Sequence, residues 1–408
     1  MHSCVPLFYS NAFTGHSGVC FPRLNALRIE LSAIQPNLRR MRIAFDAKRY
    51  FHNNTGLGRY SRELVDGLSR YYPENDYLLC NPRNSGRIDL HDGFKLLAPT
   101  VTNALYAAYW RSAGVVRELK KQNARIYHGL SNEIPFGLRT AKIRSAVSVH
   151  DMIYLRYPHL YKRADRWIYE RKVEFAATHA DAVIATSQQT ADDISFFYPV
   201  RSNRIVVVYQ AVNMPQPTVQ EDQAVQRKYE LPQDYFLYVG TVEERKNLIG
   251  VLQAMQLSQN RKQSLAVVGK HHPAYHRECV DFIRKHGMQK QVGFYDGVTR
   301  DELASFYKNS TALVYPSYFE GFGIPIVEAH LCGTPVITSV GGCFAETAAE
   351  AALFVNPAEP QEIADAMHKL ENEPSLRRLL VTRGAENAKR FTSEKFAASV
   401  MDVYKQLA

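Results

Sequence analysis

Long apolar runs are missing from this 408-residue sequence. None reaches the ~18 residues that a bilayer-spanning helix needs, which leaves a soluble protein or one that lies on a membrane surface. Cysteine is sparse. The six are Cys4, Cys20, Cys80, Cys279, Cys332 and Cys343, and no two form a C-x-x-C pair. That scatter argues against a structural zinc site or a disulfide framework and favours a reducing cytoplasm. No Asp-x-Asp stands where a strand ends, so no evident carboxylate pair holds Mg²⁺ or Mn²⁺. The cluster His271, His272 and His276 reads as a solvated loop rather than a metal site. Long Lys/Arg blocks and RNA-recognition aromatic motifs are absent too, which makes nucleic acid the weakest candidate partner.

What is present is an ordinary globular composition, 46% hydrophobic and 22% charged. A formal net charge of +10 invites an anionic partner, either a phosphorylated substrate or an anionic membrane surface, unless it only keeps the surface solvated. The length implies two or three domains. Residues 1–40 lack sustained periodicity and lack the cationic start and apolar core of a signal peptide. They read as a disordered extension before Met41, which stands directly ahead of the first strand.

From Met41 onward, short apolar runs alternate with helical patterns, the mark of βαβ units and a parallel sheet. Strands are expected at 42–47, 77–80, 126–128, 146–150, 182–185 and 205–209, with a loop at 48–57 and helices at 58–71, 165–177 and 188–196. The segment 213–218, with two prolines, reads as a connector. A second series follows, with strands at 235–239, 264–268, 291–294, 312–315, 335–338 and 352–355. Its helices are expected at 248–257, 275–286, 300–309 and 325–332. The fold class is therefore α/β: doubly wound domains at 41–212 and 213–392, then an amphipathic helix near 393–407. Open parallel sheets bind ligands beyond the carboxyl ends of their strands, so functional residues should follow strands.

Four segments do. In Glu320-Gly-Phe-Gly-Ile-Pro-Ile-Val-Glu328, Pro325 suits the start of a helix. Gly321 and Gly323 permit close approach of backbone to ligand, and the free amides at the helix start favour an anion or a sugar hydroxyl. Glu320 and Glu328 are too far apart for a glycosidase pair and suit two separate grips on a polyol ligand. In Gly240-Thr-Val-Glu-Glu-Arg-Lys-Asn247, Arg245 and Lys246 stand at a helix start, where cations oppose the helix dipole unless a diphosphate sits there. A surface pair bridged to Glu243 and Glu244 is the alternative. Asn54-Thr-Gly-Leu-Gly-Arg-Tyr60 offers Gly56 and Gly58 as a loop that closes on phosphate or acceptor. It lacks the third glycine of a dinucleotide fingerprint, Ser61 standing there. Finally, His150 and Asp151 end a strand. His150 suits hydrogen bonding to a sugar, with Asp151 orienting it or activating an acceptor hydroxyl, unless both are structural.

Together these motifs resemble glycosyltransferase family 4, enzymes of the GT-B fold in which two Rossmann-like domains face each other across a cleft. The resemblance runs from Met41 to the C-terminus. The segments 147–158 and 181–187 are similar to those of bacterial mannosyltransferases of polysaccharide assembly. The resemblance implies that Glu328 holds the nucleotide ribose, and that Glu320 with the Phe322 and Gly323 amides meets the donor sugar. It implies that Arg245 and Lys246 hold the diphosphate, that Gly58 approaches it, that His150 lies beside the sugar, and that the base rests near Val292–Val298. It further implies a retaining, metal-independent hexosyltransferase without cofactor, using a nucleoside diphosphate sugar and a glycan or lipid-linked acceptor, with the last helix crossing back onto the first domain. Rival readings are an NAD-dependent oxidoreductase using Gly56, a non-catalytic two-domain binding protein, and a GT-B epimerase or phosphorylase.

Overall fold

The structure, a computed structural model, describes residues 40–83, 93–100, 103–258, 260 and 262–408. The extension expected over residues 1–40 lies, up to Arg39, outside them. Arg40–Ala408 forms one compact unit.

The first half runs β1 (Arg42–Asp46), α1 (Lys48–His52), α2 (Gly56–Tyr71), β2 (Asp76–Cys80), β3 (Phe94–Leu97), α3 (Ala104–Tyr109), α4 (Val115–Lys121), β4 (Ile126–Gly129), β5 (Arg144–Val149), α5 (Ile153–Arg156), α6 (Arg163–His179), β6 (Ala182–Ala185), α7 (Gln188–Phe197) and β7 (Ile205–Val207). These strands form one sheet in the order β3-β2-β1-β4-β5-β6-β7, every pairing parallel. The second half runs α8 (Val219–Tyr229), β8 (Phe236–Val239), α9 (Leu248–Leu257), β9 (Leu265–Val268), α10 (Pro273–Lys285), β10 (Val292–Tyr295), α11 (Arg300–Asn309), β11 (Ala312–Tyr315), α12 (Ile324–Leu331), β12 (Val336–Ser339), α13 (Gly342–Ala348), β13 (Leu353–Val355), α14 (Pro360–Asn372), α15 (Pro374–Ala388) and α16 (Ser393–Leu407). Its sheet is parallel throughout, in the order β10-β9-β8-β11-β12-β13. Both are Rossmann-like. Continuous apolar strands such as Ala182–Ala185 and Phe236–Val239 are buried on both faces because helices cover both faces.

Each sheet has a core on either side. Under the first, α2 and α16 pack together against β1, joining Tyr60, Leu64 and Leu68 to Phe396, Val400 and Tyr404. The last helix thus lies on the first domain although it follows the second in sequence. Where the chain returns, the Val212 N–H donates to the Phe391 carbonyl at 3.0 Å, pinning the connector to the segment before α16.

Several elements depart from the sequence expectation. The loop expected at 48–57 contains the short helix α1, and α2 begins at Gly56. The edge strand β3 is half exposed and carries Lys95, so it lacks the apolar run that marked its neighbours. Helix α13 begins at Gly342, and the Gly341-Gly342 pair at its start, both at positive φ, resembles a turn. His271 is no free loop residue. It forms a β-bridge with Val242, and its ring stacks on that of His276 at 4.2 Å.

Candidate active site

In each sheet the chain starts outward in one direction and then crosses to the other side, leaving a crevice between β1 and β4 and another between β8 and β11. Such switch points are where α/β sheets bind ligands. The loops after β8 and β11 carry Arg245-Lys246 and Glu320, and this is why side chains some 75 positions apart in sequence meet.

A tight helical turn, Glu244–Lys246, leads into Asn247, which adopts a left-handed backbone and caps α9 through its side chain to the Gly250 N–H at 3.1 Å. That geometry sends both cations inward. The Glu320 Oε1 accepts from Lys246 Nζ at 2.5 Å and pairs with Arg245 Nη1 at 2.9 Å. Arg245 also pairs with Glu243 at 2.6 Å and donates to the Phe319 carbonyl. Lys246 reaches the Tyr315 hydroxyl at 3.1 Å. Burial alone would raise the Glu320 carboxyl, but Lys246 and then Arg245 overcome it and hold Glu320 down at about 2. Burial likewise works against the Arg245 cation, and Glu320 and Glu243 more than restore it.

Glu328 is held by a different set. Its Oε2 accepts from the Tyr307 hydroxyl at 3.0 Å, and its Oε1 pairs with Arg59 at 2.5 Å. Arg59 belongs to α2 of the first domain, just past the glycine loop, so this ion pair spans the cleft. Glu328 is 2% exposed at the side chain and Arg59 33%. The two carboxylates of the motif thus have separate sets of partners.

The domains meet around the Glu320 loop. A Cβ on Gly321 would lie 2.1 Å from the His150 carbonyl oxygen, so this glycine permits close approach of the first domain's backbone rather than of a ligand. Gln189 Nε2 donates to the Glu320 carbonyl at 2.9 Å, and Gln189 Oε1 accepts from the Cys343 N–H at 2.9 Å. The Glu346 carboxylate caps α7 from the other domain, accepting from the Gln188 and Gln189 amides at 2.8 and 3.3 Å. The Phe322 side chain is buried with Val212, Val327 and Phe391. Neither its amide nor that of Gly323 has a hydrogen-bond partner among the described residues, leaving two donors at the start of α12. Gly323 stands at φ +96°, a backbone that favours glycine.

His150 ends β5. Its Nε2 is 2.8 Å from the Leu130 carbonyl, to which it donates, and its ring meets Tyr60 edge-on at 4.5 Å. Burial pushes the imidazole down to about 4, so the ring is neutral. Asp151 does not orient it: its Oδ1 caps α5, accepting from the Ile153 N–H at 3.1 Å, and burial raises its carboxyl. Of the glycine loop, Gly56 faces Ile324 of the second domain, where a Cβ would rest 3.5 Å from its Cδ1. At Gly58 a Cβ would overlap the Asn53 carbonyl at 1.8 Å, so its own loop requires this glycine. Val298 sits apart, on the loop after edge strand β10, and packs against the core. Among the described residues no group of three or more His, Cys, Asp or Glu is gathered as a metal site needs.

Sequence reasoning missed Arg59 and a buried ion cluster at the other switch point. There Arg111 grips Asp46 at 2.5 and 3.0 Å and Glu133 at 2.7 Å. The cluster lines a cavity of about 170 Å³ with Phe136, Lys172 and Phe175. A buried-looking Asp at the end of the first strand was the available signal. A second cavity, about 390 Å³, lies between the domains, lined by Tyr157, His159 and Leu160 on one side and Glu244, Arg245 and Tyr318 on the other.

Two facing Rossmann-like domains with a charged site at the switch point define a glycosyltransferase of the GT-B type. Residues 54–215 match the family Glycosyltransferase Family 4, and residues 219–387 match Glycosyl transferases group 1. The chain belongs to this family of glycosyltransferases. It is 28% identical to O-antigen chain mannosyltransferase B of Escherichia coli over 90% of this chain and 100% of that one. It is 27% identical to O-antigen chain mannosyltransferase RfbU of Salmonella typhimurium over 79% and 89%. The fold is shared with sucrose-phosphate synthase of Thermosynechococcus elongatus (TM-score 0.74, 21% identity, 90% and 99% covered). It is shared too with Anabaena HepE in complex with UDP-glucose (TM-score 0.70, 15% identity, 90% and 100% covered).

Proposed function

We propose that the protein is a retaining hexosyltransferase of cell-surface polysaccharide assembly, moving mannose from GDP-mannose to a glycan or lipid-linked glycan at the cytoplasmic face of a membrane. The observation that carries this reading is the convergence of Arg245, Lys246 and Glu320 at the β8/β11 crossover, facing His150 across the cleft. A nucleoside diphosphate there would take over the two cations from Glu320, which then turns to the donor sugar with the Phe322 and Gly323 amides. Glu328 would exchange Arg59 for the ribose hydroxyls, and the base would lie toward Val298.

In this reaction the bond from the sugar's anomeric carbon to the phosphate oxygen breaks. The acceptor oxygen attacks from the same face, and its proton passes to the departing phosphate. Arg245 and Lys246 stabilise the charge growing on that phosphate, so no metal is needed. Neutral His150, its one N–H committed to the Leu130 carbonyl, would accept a hydrogen bond from a sugar hydroxyl at Nδ1 and supply no charge. The mannose preference leans on the relatives named for O-antigen mannosyl transfer. HepE in complex with UDP-glucose makes a uridine donor the competing choice.

Thermal melting against GDP, UDP, ADP and their sugars tests the donor, since selective binding raises the melting temperature by mass action. GDP-mannose should stabilise most, and transfer should survive chelator and give a product of retained anomeric configuration. Stabilisation by a uridine sugar alone would replace the donor assignment. Unchanged turnover in Arg245→Ala or Glu328→Ala would overturn the site itself.

A further inference from the structure

The cavity of about 390 Å³ between the domains lies on the side of the second sheet away from the ribose grip. Along β8, Phe236 and Tyr238 join the core under α9 and α10, whereas Leu237 and Val239 join the core under α11 and α12. Side chains alternate between the two faces of a strand, so these cores are on opposite faces. Glu328, its Tyr307 partner and Val298 belong to the α11–α12 side. The cavity belongs to the other. Tyr275 and Glu278 come to it from the start of α10, and Glu244 from the turn before α9. Arg245 stands between the two sides, lining the cavity while it pairs with Glu320.

The walls combine aromatic rings with carboxylates. Tyr275 and Tyr318 line the cavity from the second domain and Tyr157 from the first. Each is held in place. The Tyr275 hydroxyl accepts from the Ile249 N–H at 3.0 Å, and the Tyr318 N–H donates to the Arg245 carbonyl at 2.8 Å. The Tyr157 ring lies 5.7 Å from that of Phe319, whose carbonyl Arg245 grips. Tyr318 still leaves 41% of itself exposed. Such rings offer a flat apolar face with a polar tip, which suits the C–H face and the hydroxyls of a sugar ring. The carboxylates of Glu244 and Glu278 have no hydrogen-bond or ion-pair partner among the described residues, unlike Glu243 and Glu320 beside them. Arg245 is committed to those two, so the carboxylates left over set the charge that a ligand meets. They accept from hydroxyls and repel an anion.

We propose that this cavity binds a neutral oligosaccharide, the units that precede the accepting sugar in the acceptor glycan. Tyr157, Tyr275 and Tyr318 pack on its rings, and Glu244 and Glu278 accept from its hydroxyls. The volume exceeds what one sugar ring needs, and Arg245 at its inner wall joins it to the place proposed for the departing phosphate. The proposal rests on the reading of a glycan acceptor, yet binding can be measured with neither donor nor turnover.

Ligand-observed NMR and calorimetry on the full chain test it with neutral trisaccharides of mannose, glucose and galactose, and with a galacturonic acid trisaccharide as their anionic counterpart. At least one neutral trisaccharide should bind, more tightly than its monosaccharide, and the acidic one should not. Tyr318→Ala should weaken that binding roughly 10-fold, as loss of one aromatic contact does. Glu244→Gln with Glu278→Gln should admit the acidic trisaccharide, a change of preference that a merely structural role would not produce. Leu379→Ser, on exposed α15 surface, should alter nothing. All of these side chains except Tyr275, left untouched, reach the surface, so unchanged melting curves establish folding. No binding of any neutral trisaccharide, equal binding of the acidic one, an unaltered affinity in Tyr318→Ala, or displacement of the trisaccharide by GDP would each overturn the proposal. A failed nucleotide screen beside intact trisaccharide binding would remove the donor assignment and leave this one standing.

Discussion

Replacing Glu320 by glutamine should destabilise the second domain measurably, even with no substrate present. Glu320, Arg245 and Lys246 are 11%, 8% and 11% exposed at the side chain, so water screens their pairing little. The Glu320 carboxyl sits at about 2 against an ordinary 4.5. At ~1.4 kcal/mol for each pH unit, that displacement corresponds to about 3 kcal/mol. Removing one partner from a buried ion pair costs about 3–5 kcal/mol by general experience, which agrees. In a domain of this size the melting temperature should fall by on the order of 6–10 °C.

The pH dependence follows from the direction of the displacement. A carboxyl held below its unfolded value contributes fully above about pH 4.5, and that contribution is lost as the pH falls toward about 2. The gap between wild type and Glu320→Gln should therefore be full near neutrality and narrow in acid. Freed of Glu320, the two cations should also gain more from a diphosphate, so GDP should raise the melting temperature of the variant more than that of the wild type. Calorimetry or circular dichroism melts check each point. A gap that stays the same in acid would refute the argument, because the charge of Glu320 would not then be what the cations depend on.

Gly321→Ala places a methyl group 2.1 Å from the His150 carbonyl oxygen, which must force the domains apart. Turnover should fall by roughly 100-fold or more as the cleft residues lose alignment, and small-angle scattering should show a larger radius with secondary structure intact. An unchanged radius and rate would mean the two backbones do not meet in solution. His150 is held down at about 4, so between its unfolded value of 6.5 and that point only the unfolded chain takes up the proton, and stability falls as pH falls through this window. For the same reason the rate profile should lack a histidine step near neutrality. A limb near pH ~6.5 that disappears in His150→Gln would show the ring to be charged in the working enzyme.

The sequence by itself determined the succession of strands and helices in two parallel α/β domains and pointed to the candidate site residues. Buried parallel strands are continuous apolar runs, and the runs at 182–185 and 312–315 lie where the structure places them. Helices with unambiguous ends, such as Leu248–Leu257 behind Asn247 and Ser393–Leu407 behind Thr392, were equally legible. The strange placement of Arg245-Lys246 at a helix start and the glycines within 320–328 pointed to the candidate site. An uncompensated cation or a glycine at positive φ is a local violation that sequence displays. Partnership is a different matter. That Arg59 reaches Glu328, that Gln189 and Glu346 tie α7 to the second domain, and that Asp46 meets Arg111 depends on which loops the sheet order brings together. Gly58 and Asp151 also have local structural duties that the motifs did not display. One gives way to the Asn53 carbonyl and the other caps α5, and both are contacts created by the path of the backbone. Tertiary structure decided the pairings of Arg59, Gln189, Glu346 and Asp46 because they join segments far apart in the sequence, where neither spacing nor periodicity carries information.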